Sequence, residues 1–473
     1  MAGIGYHINR LLRSDNLFSK LGGISASVFF SSGPWLCTIL SIACITSLTS
    51  DRLEPMERQL FRIIINYTYA GSLILFSVIE ILTTRYMADS IYLRQEKVLP
   101  TLYCLISLIV LTTTTIAGSI FYSMSGIGWQ ITVLATVLLS TVGLIWCSMI
   151  FLSACKDYFQ IAMSFCLGMA CSIGISLVWG MQAKFSLREQ LASFALGQMV
   201  TVFSLGYRIF KEFGTGYLSP RDYTWFCSQH RLLILVGLFY SSAIWIDKII
   251  FWLGPTGERV APMFYKSSAY DSGVFVAYLS IVPAMAYFLV TIETKFYSAY
   301  RRYFSLIDNK APLSLIERGR VEIIDVVRQD IWGLIVFQSF VTIPSLVFAP
   351  QIMQYLGFSP IHATVFRYGL IAAALHVFLL FTNILILYLD VPKVVAKNYG
   401  LFLLMNGLFS YLSAVSDYRY HGVGYALAAL IALVGSVTSL NRILEEMNFF
   451  VFMKQPLAKP AHKPLEFEWV SLK

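Results

Sequence analysis

The stretch FFSSGPWL, Phe29 to Leu36, interrupts a long apolar run with two serines, a glycine and a proline, and FYSSAIWI repeats its pattern at Phe239 to Ile246. Phe29, Ser31, Ser32 and Trp35 return as Phe239, Ser241, Ser242 and Trp245, a constant offset of 210. The same offset carries Thr84-Arg85-Tyr86 onto Thr294-Lys295-Phe296. Two matches in one register point to a duplicated half. Each copy of the first motif lies in an apolar run of about 20 residues, the length that a bilayer's hydrocarbon core requires of a helix.

Composition fixes the solvent. The 473 residues are 57% hydrophobic and 13% charged with a mean hydropathy of +0.69, against roughly 45–50% and about 25% for soluble domains. This implies an all-α, polytopic membrane protein, because a spanning helix satisfies its own backbone in lipid. Twelve spans are predicted, at 26–49, 63–83, 99–122, 127–153, 159–181, 190–210, 231–253, 274–293, 331–350, 366–389, 398–416 and 422–440. The first is read as a retained helix and not a cleavable signal, being too long and lacking a small-residue cleavage site. The organisation expected is an amphipathic N-terminal segment (1–25), an N-lobe of spans one to six (26–210), a linker (211–230), a C-lobe of spans seven to twelve (231–440) with a basic loop at 294–330, and a C-terminal tail (441–473). Six spans per half is an even number, so the halves are expected to be parallel repeats with a pathway between them.

Loop charge orients the chain. Counting residues at span ends with the segment they border, 25 basic residues fall on the side of the two termini and 9 on the other, with Lys248 left inside a span. Lys and Arg are retained on the cytoplasmic side, so both termini and the 294–330 loop are expected there. The net charge of +9 is thereby a topology signal and not a nucleic-acid footprint. The eight cysteines form no C-x-x-C pair, the six histidines no H-E-x-x-H, and no phosphate-binding loop is present. These features argue against a metal centre, a bound cofactor, ATP hydrolysis or a catalytic residue set.

Several features carry specific expectations. Gly33 and Pro34 are a candidate hinge, since Pro34 removes a helix hydrogen bond and Ser31 and Ser32 offer hydroxyls to the freed carbonyl; the second copy, with Ala243-Ile244, is expected to stay straight. Ionisable residues within spans cost on the order of 2.5–3.5 kcal/mol each at a helix centre and are read as functional. They are Glu80 and Glu293, each placed within a turn of the cytoplasmic end of its span, and Asp247-Lys248 in span seven, whose side chains leave the helix about 100° apart and are not expected to neutralise each other as an i,i+4 pair does. With Ser31, Ser32, Ser241, Ser242 and Trp245 they form the candidate pathway, and Arg85 and Lys295 a candidate cytoplasmic gate. Ser164, Gly168, Ser172, Ser176 and Gly180 in span five read as a close-packing stripe. Ile4 to Phe18 reads as an interfacial amphipathic helix, as does SLIERGRVEIIDVVRQD in the basic loop, and His376 as a satisfied bundle residue.

MAGIG at Met1–Gly5, SSGPWL in span one, WIDKIIFW at Trp245–Trp252 and IETKFYSAY at Ile292–Tyr300 resemble the PelG family, the membrane component of Pel exopolysaccharide export, within the multidrug, oligosaccharidyl-lipid and polysaccharide flippase superfamily. The segment Tyr6–Arg10 departs from the family's pattern. The resemblance implies inner-membrane passage of a growing polymer rich in amino sugars and partly cationic. It also implies partners: the cytosolic glycosyltransferase PelF and the membrane proteins PelD and PelE. Two alternatives stand beside polymer export. One is an ion-coupled flippase or antiporter for lipid-linked sugars or small cations, and the other a non-transporting scaffold of a glycosyltransferase complex.

Overall fold

A computed structural model describes residues 33–34, 36–154, 157–181, 185–217 and 220–453. The order is α1 (Leu36–Leu48), α2 (Pro55–Tyr92), α3 (Leu99–Met124), α4 (Trp129–Ala154), α5 (Tyr158–Gly180), α6 (Leu187–Phe213), α7 (Pro220–Gln229) and α8 (Arg231–Leu253). A two-stranded hairpin follows, β1 (Glu258–Ala261) and β2 (Phe264–Lys266). Then come α9 (Ser268–Tyr278), α10 (Val282–Thr291), a π-helical turn (Ile292–Phe296), α11 (Tyr297–Asp308), α12 (Leu313–Val347), α13 (Ala349–Tyr355), α14 (Pro360–Tyr388), α15 (Pro392–Val415), α16 (Val423–Glu445) and α17 (Met447–Met453).

Among the described residues, nine helices are long and apolar enough to cross a membrane, and Leu36–Leu48 is a shorter apolar helix at the place of span one. The more polar Leu187–Phe213 and Pro392–Val415 occupy the places of spans six and eleven. Local chemistry sets the starts. Pro55, Pro360 and Pro392 stand in the first turns of α2, α14 and α15, where a missing N–H costs nothing. Ser186 and Glu189 cap α6 reciprocally.

The helices make two lobes. One core gathers buried residues from Ile45 to Leu233 together with Phe264, and a second runs from Val236 to Met447. In the first, α5 and α6 pack through the small-residue stripe: a Cβ on Gly168 would lie 2.0 Å from Thr201 Oγ1 and 2.5 Å from the Gly197 carbonyl, and Ser164 bonds Ser204 at 2.8 Å. In the second, α8 lies along α15, and α14 along α16.

Three features depart from or go beyond the expected layout. At the place of span eight, Ser268–Phe288 is long and apolar enough to cross a membrane but is not one regular α-helix: a 3-10 turn at Leu279–Ile281 divides α9 from α10, and the π turn follows α10, whereas α2, at the place of span two, runs unbroken for 38 residues. The 294–330 segment is largely helical: α11 folds back against α12, a single 35-residue helix that contains the SLIERGRVEIIDVVRQD stretch read as helical and continues without a break into the place of span nine. It is held there by Arg320, which donates to the Leu444 and Glu445 carbonyls at 3.0 Å, and by Asn448, which donates to Glu317 and accepts from the Tyr303 hydroxyl. Third, α2 does not stop with the predicted span but extends to Tyr92, about three turns past Glu80. The N-terminal amphipathic segment, Ser31, Ser32, Trp35 and the tail beyond residue 453 lie outside the described residues.

Candidate transport pathway at the lobe seam

The lobes meet along α2 and α8. At mid-seam the backbones touch: a Cβ on Gly237 would lie 2.1 Å from the Ser77 carbonyl, so only glycine permits the approach. Toward the end nearer α11, Arg85 of α2 donates to Asp390, in the turn between α14 and α15, at 3.0 Å, and also pairs with Asp89 on its own helix at 3.3 Å. Asp390 has φ +57, a left-handed conformation that aspartate adopts more readily than most residues, and this turn ends α14. Lys295 does not mirror Arg85. It stands 3.8 Å from Asp330 of α12, within its own lobe.

Asp247 and Lys248 correct the sequence reading. Lys248 Nζ lies 3.1 and 3.2 Å from the two carboxylate oxygens of Asp247, so they do pair. The two side chains leave the helix at different angles, but the long lysine stem bends back, and its ammonium also donates to the Ile244 carbonyl at 2.9 Å. Asp247 is fully buried and takes a further bond from the Tyr270 hydroxyl at 2.8 Å. The ammonium lies 5.2 to 5.8 Å from the ring centroids of Tyr278, Tyr425 and Trp245, an aromatic box that offsets part of its desolvation.

A hydrogen-bonded chain leaves this box. Tyr278 bonds Tyr425, Tyr425 bonds His376 Nδ1, and His376 Nε2 reaches the Tyr240 hydroxyl at 3.4 Å. His376 is thus a satisfied, buried member of the bundle. Glu80 lies on α2, the N-lobe helix packed against α8, which carries Tyr240. Ser241 is buried on α8 and Ser242 half-buried. The α8 helix runs from Arg231 to Leu253 without a break, as expected of the second copy. Gly33 and Pro34 are helical, and Thr38 donates to the Pro34 carbonyl at 2.9 Å.

Glu293 falls in the π turn, and its side chain lies outside the described residues. That turn borders a recess lined by Tyr287, Thr291, Phe296, Asp330 and Phe381. Sequence reasoning missed Tyr270, Tyr278, Tyr425 and Asp390, whose signals are single polar residues in otherwise ordinary runs.

A family profile described as "PelG: Putative exopolysaccharide Exporter (EPS-E)" matches residues 1–452. The chain belongs to the PelG family. Solved transporters share its fold. An outward-facing conformation of a multidrug resistance MATE family transporter of the MOP superfamily has a TM-score of 0.65 at 16% identity, over 93% of this chain and 98% of that chain. A MOP superfamily transporter from Pyrococcus furiosus, described as having a reverse polarity of its binding pocket, has 0.59 at 16%, over 94% and 97%. An inward-facing MATE family transporter of the MOP superfamily has 0.54 at 14%, over 89% and 95%. No curated protein matches the chain. This PelG family member is therefore a multi-pass membrane transporter of two lobes.

Proposed function

We propose that this protein passes the Pel exopolysaccharide from the cytoplasm across a bacterial inner membrane, between its lobes, with both termini and the α11–α12 hairpin facing the cytoplasm. The observation that carries this reading is an exopolysaccharide-exporter family match over residues 1–452 on a two-lobed transporter fold. The bias of basic residues supports the orientation. The pathway is assigned to the seam, with Glu80, Trp245 and the Asp247–Lys248 pair beside it. The lobes divide at the linker 211–230, and PelF, PelD and PelE are the partners, with the glycosyltransferase supplying polymer on the side of the basic hairpin.

Reconstitution in vesicles tests the proposal. Polymer synthesised outside should become enclosed only when this chain is present, and equal enclosure without it overturns the reading. An ion-coupled carrier of lipid-linked sugars or small cations is the second reading, favoured by the buried His376–Tyr425 chain. It expects flux of a small substrate under an imposed ion gradient with no polymer synthesis.

A further inference from the structure

A residue well beyond α8 in the C-terminal half is built into the core of the N-lobe. Phe264, at the start of β2, is fully buried, and its ring lies 5.2 Å from Tyr67, 5.8 Å from Phe121 and 6.2 Å from Tyr122. All three neighbours belong to α2 and α3. We propose that the β1–β2 hairpin is a latch between the lobes, closing the seam at the end opposite α11, and that its release is a step of the transport cycle. The proposal rests on the two-lobed transporter fold and not on the identity of the passenger.

Five contacts define the latch. Besides the Phe264 insertion, the Tyr67 hydroxyl donates to the Tyr265 carbonyl at 3.0 Å and accepts from the Tyr265 N–H at 3.1 Å. One side chain on α2 thus satisfies both backbone groups of a hairpin residue, as a neighbouring strand does. The Tyr67 ring stacks on Trp252, the penultimate residue of α8, with centroids 4.7 Å apart and planes 18° apart. At the hairpin tip, Pro262 rests against Gly126, whose φ of +66 marks the turn after α3.

The hairpin moves as a unit with the C-lobe. Glu258 and Lys266 face each other in register and form an ion pair at 3.0 Å. Asp271 of α9 accepts from Trp252 Nε1 at 2.9 Å and from the Ser267 N–H at 3.1 Å, which ties the hairpin to the helices on either side. A rocking of one lobe against the other therefore has to draw Phe264 out of its cage and break both Tyr67 bonds. The N-half has a short turn, not a hairpin, at the equivalent place between α1 and α2, so the device is one-sided. It also touches the charge box, because Trp252 lies 6.3 Å from Trp245, whose ring faces Lys248.

Spin labels at Met124→Cys and Tyr418→Cys, in a background without other cysteines, report the lobe separation at this end; both positions are exposed, on opposite lobes. Phe264→Ala should add a longer-distance population that the parent lacks. Tyr67→Phe keeps the ring and loses both hydrogen bonds. It should shift the distribution the same way and let the Tyr265 amide exchange roughly three- to tenfold faster, the consequence of one lost net hydrogen bond. Should Phe264→Ala fail to fold, Tyr67→Phe decides alone. Unchanged distances and unchanged Tyr265 exchange in Tyr67→Phe overturn the latch.

Discussion

Arg85 and Asp390 are 305 positions apart in sequence and 3.0 Å apart in the fold, joining the two lobes at the end opposite the hairpin. Arg85 is about a third and Asp390 about half exposed, so the pair contributes at most about 1 kcal/mol to stability. As a gate, the pair would act through the state of the seam that it favours. Arg85→Asp and Asp390→Arg should each leave membrane abundance unchanged, loosen the lobes at this end and alter the transport rate, and the double exchange should restore it. Cross-linking yield between cysteines flanking the pair, with export measured on the same variants, checks this. A double exchange that behaves as the sum of the singles removes the pair from the gate.

The α5–α6 contact makes a prediction about folding. Gly168→Val places atoms where Thr201 and the Gly197 carbonyl already stand, and the backbone has to move. The expected loss is about 1–3 kcal/mol or more, read as a lower melting temperature in detergent and less protein in the membrane. Gly174, on the same helix, has nothing within 4 Å of an added Cβ, so Gly174→Ala should be silent. Equal behaviour of the two variants contradicts the packing seen here.

The spans were legible because the bilayer imposes a length on apolar runs, and among the described residues helical structure stands at each predicted place, interrupted at span eight. Helix ends were not, since hydropathy follows the lipid and helices continue past it. Arg85 and Asp89 satisfy each other on α2 beyond its apolar stretch, and the helix runs on about three turns past Glu80. Likewise the first half of α12 is fixed by Arg320 and Asn448 reaching other helices. The Asp247–Lys248 pair announced itself as charge in a span, yet its pairing depends on how far a flexible lysine stem reaches. The groups completing its surroundings, Tyr270, His376 and Tyr425, lie 23, 129 and 178 positions beyond Asp247, and only tertiary packing brings them in.

Orientation has a direct test. Lys310 is exposed between α11 and α12, and Tyr355 is 92% exposed at the end of α13. Single cysteines there, in a cysteine-free background, should react with an impermeant thiol reagent from opposite sides of the membrane. In intact cells Tyr355→Cys should label and Lys310→Cys should label only after permeabilisation. The reverse pattern inverts the topology.

Asp247 allows the sharpest separation of structure from transport. Asp247→Asn leaves Lys248 in its aromatic box without a counter-charge, and breaking a buried pair from one side costs about 3–5 kcal/mol. Abundance of folded protein should therefore fall. Lys248→Met strands the carboxylate instead and should do the same, with Tyr270 the remaining donor to it. The double variant Asp247→Asn, Lys248→Met removes both charges, keeps similar volumes and should return abundance to near the parent level, because replacing a buried pair by well-packed neutral groups is often neutral. Export per folded molecule in that double variant then decides the role of the pair. Placement beside the pathway expects export to fall several-fold while abundance recovers, since the charge the passenger meets has gone and the fold has not. Parent-level export from the double variant makes Asp247 and Lys248 a structural pair and moves the pathway along the seam, toward Glu80 and Tyr240.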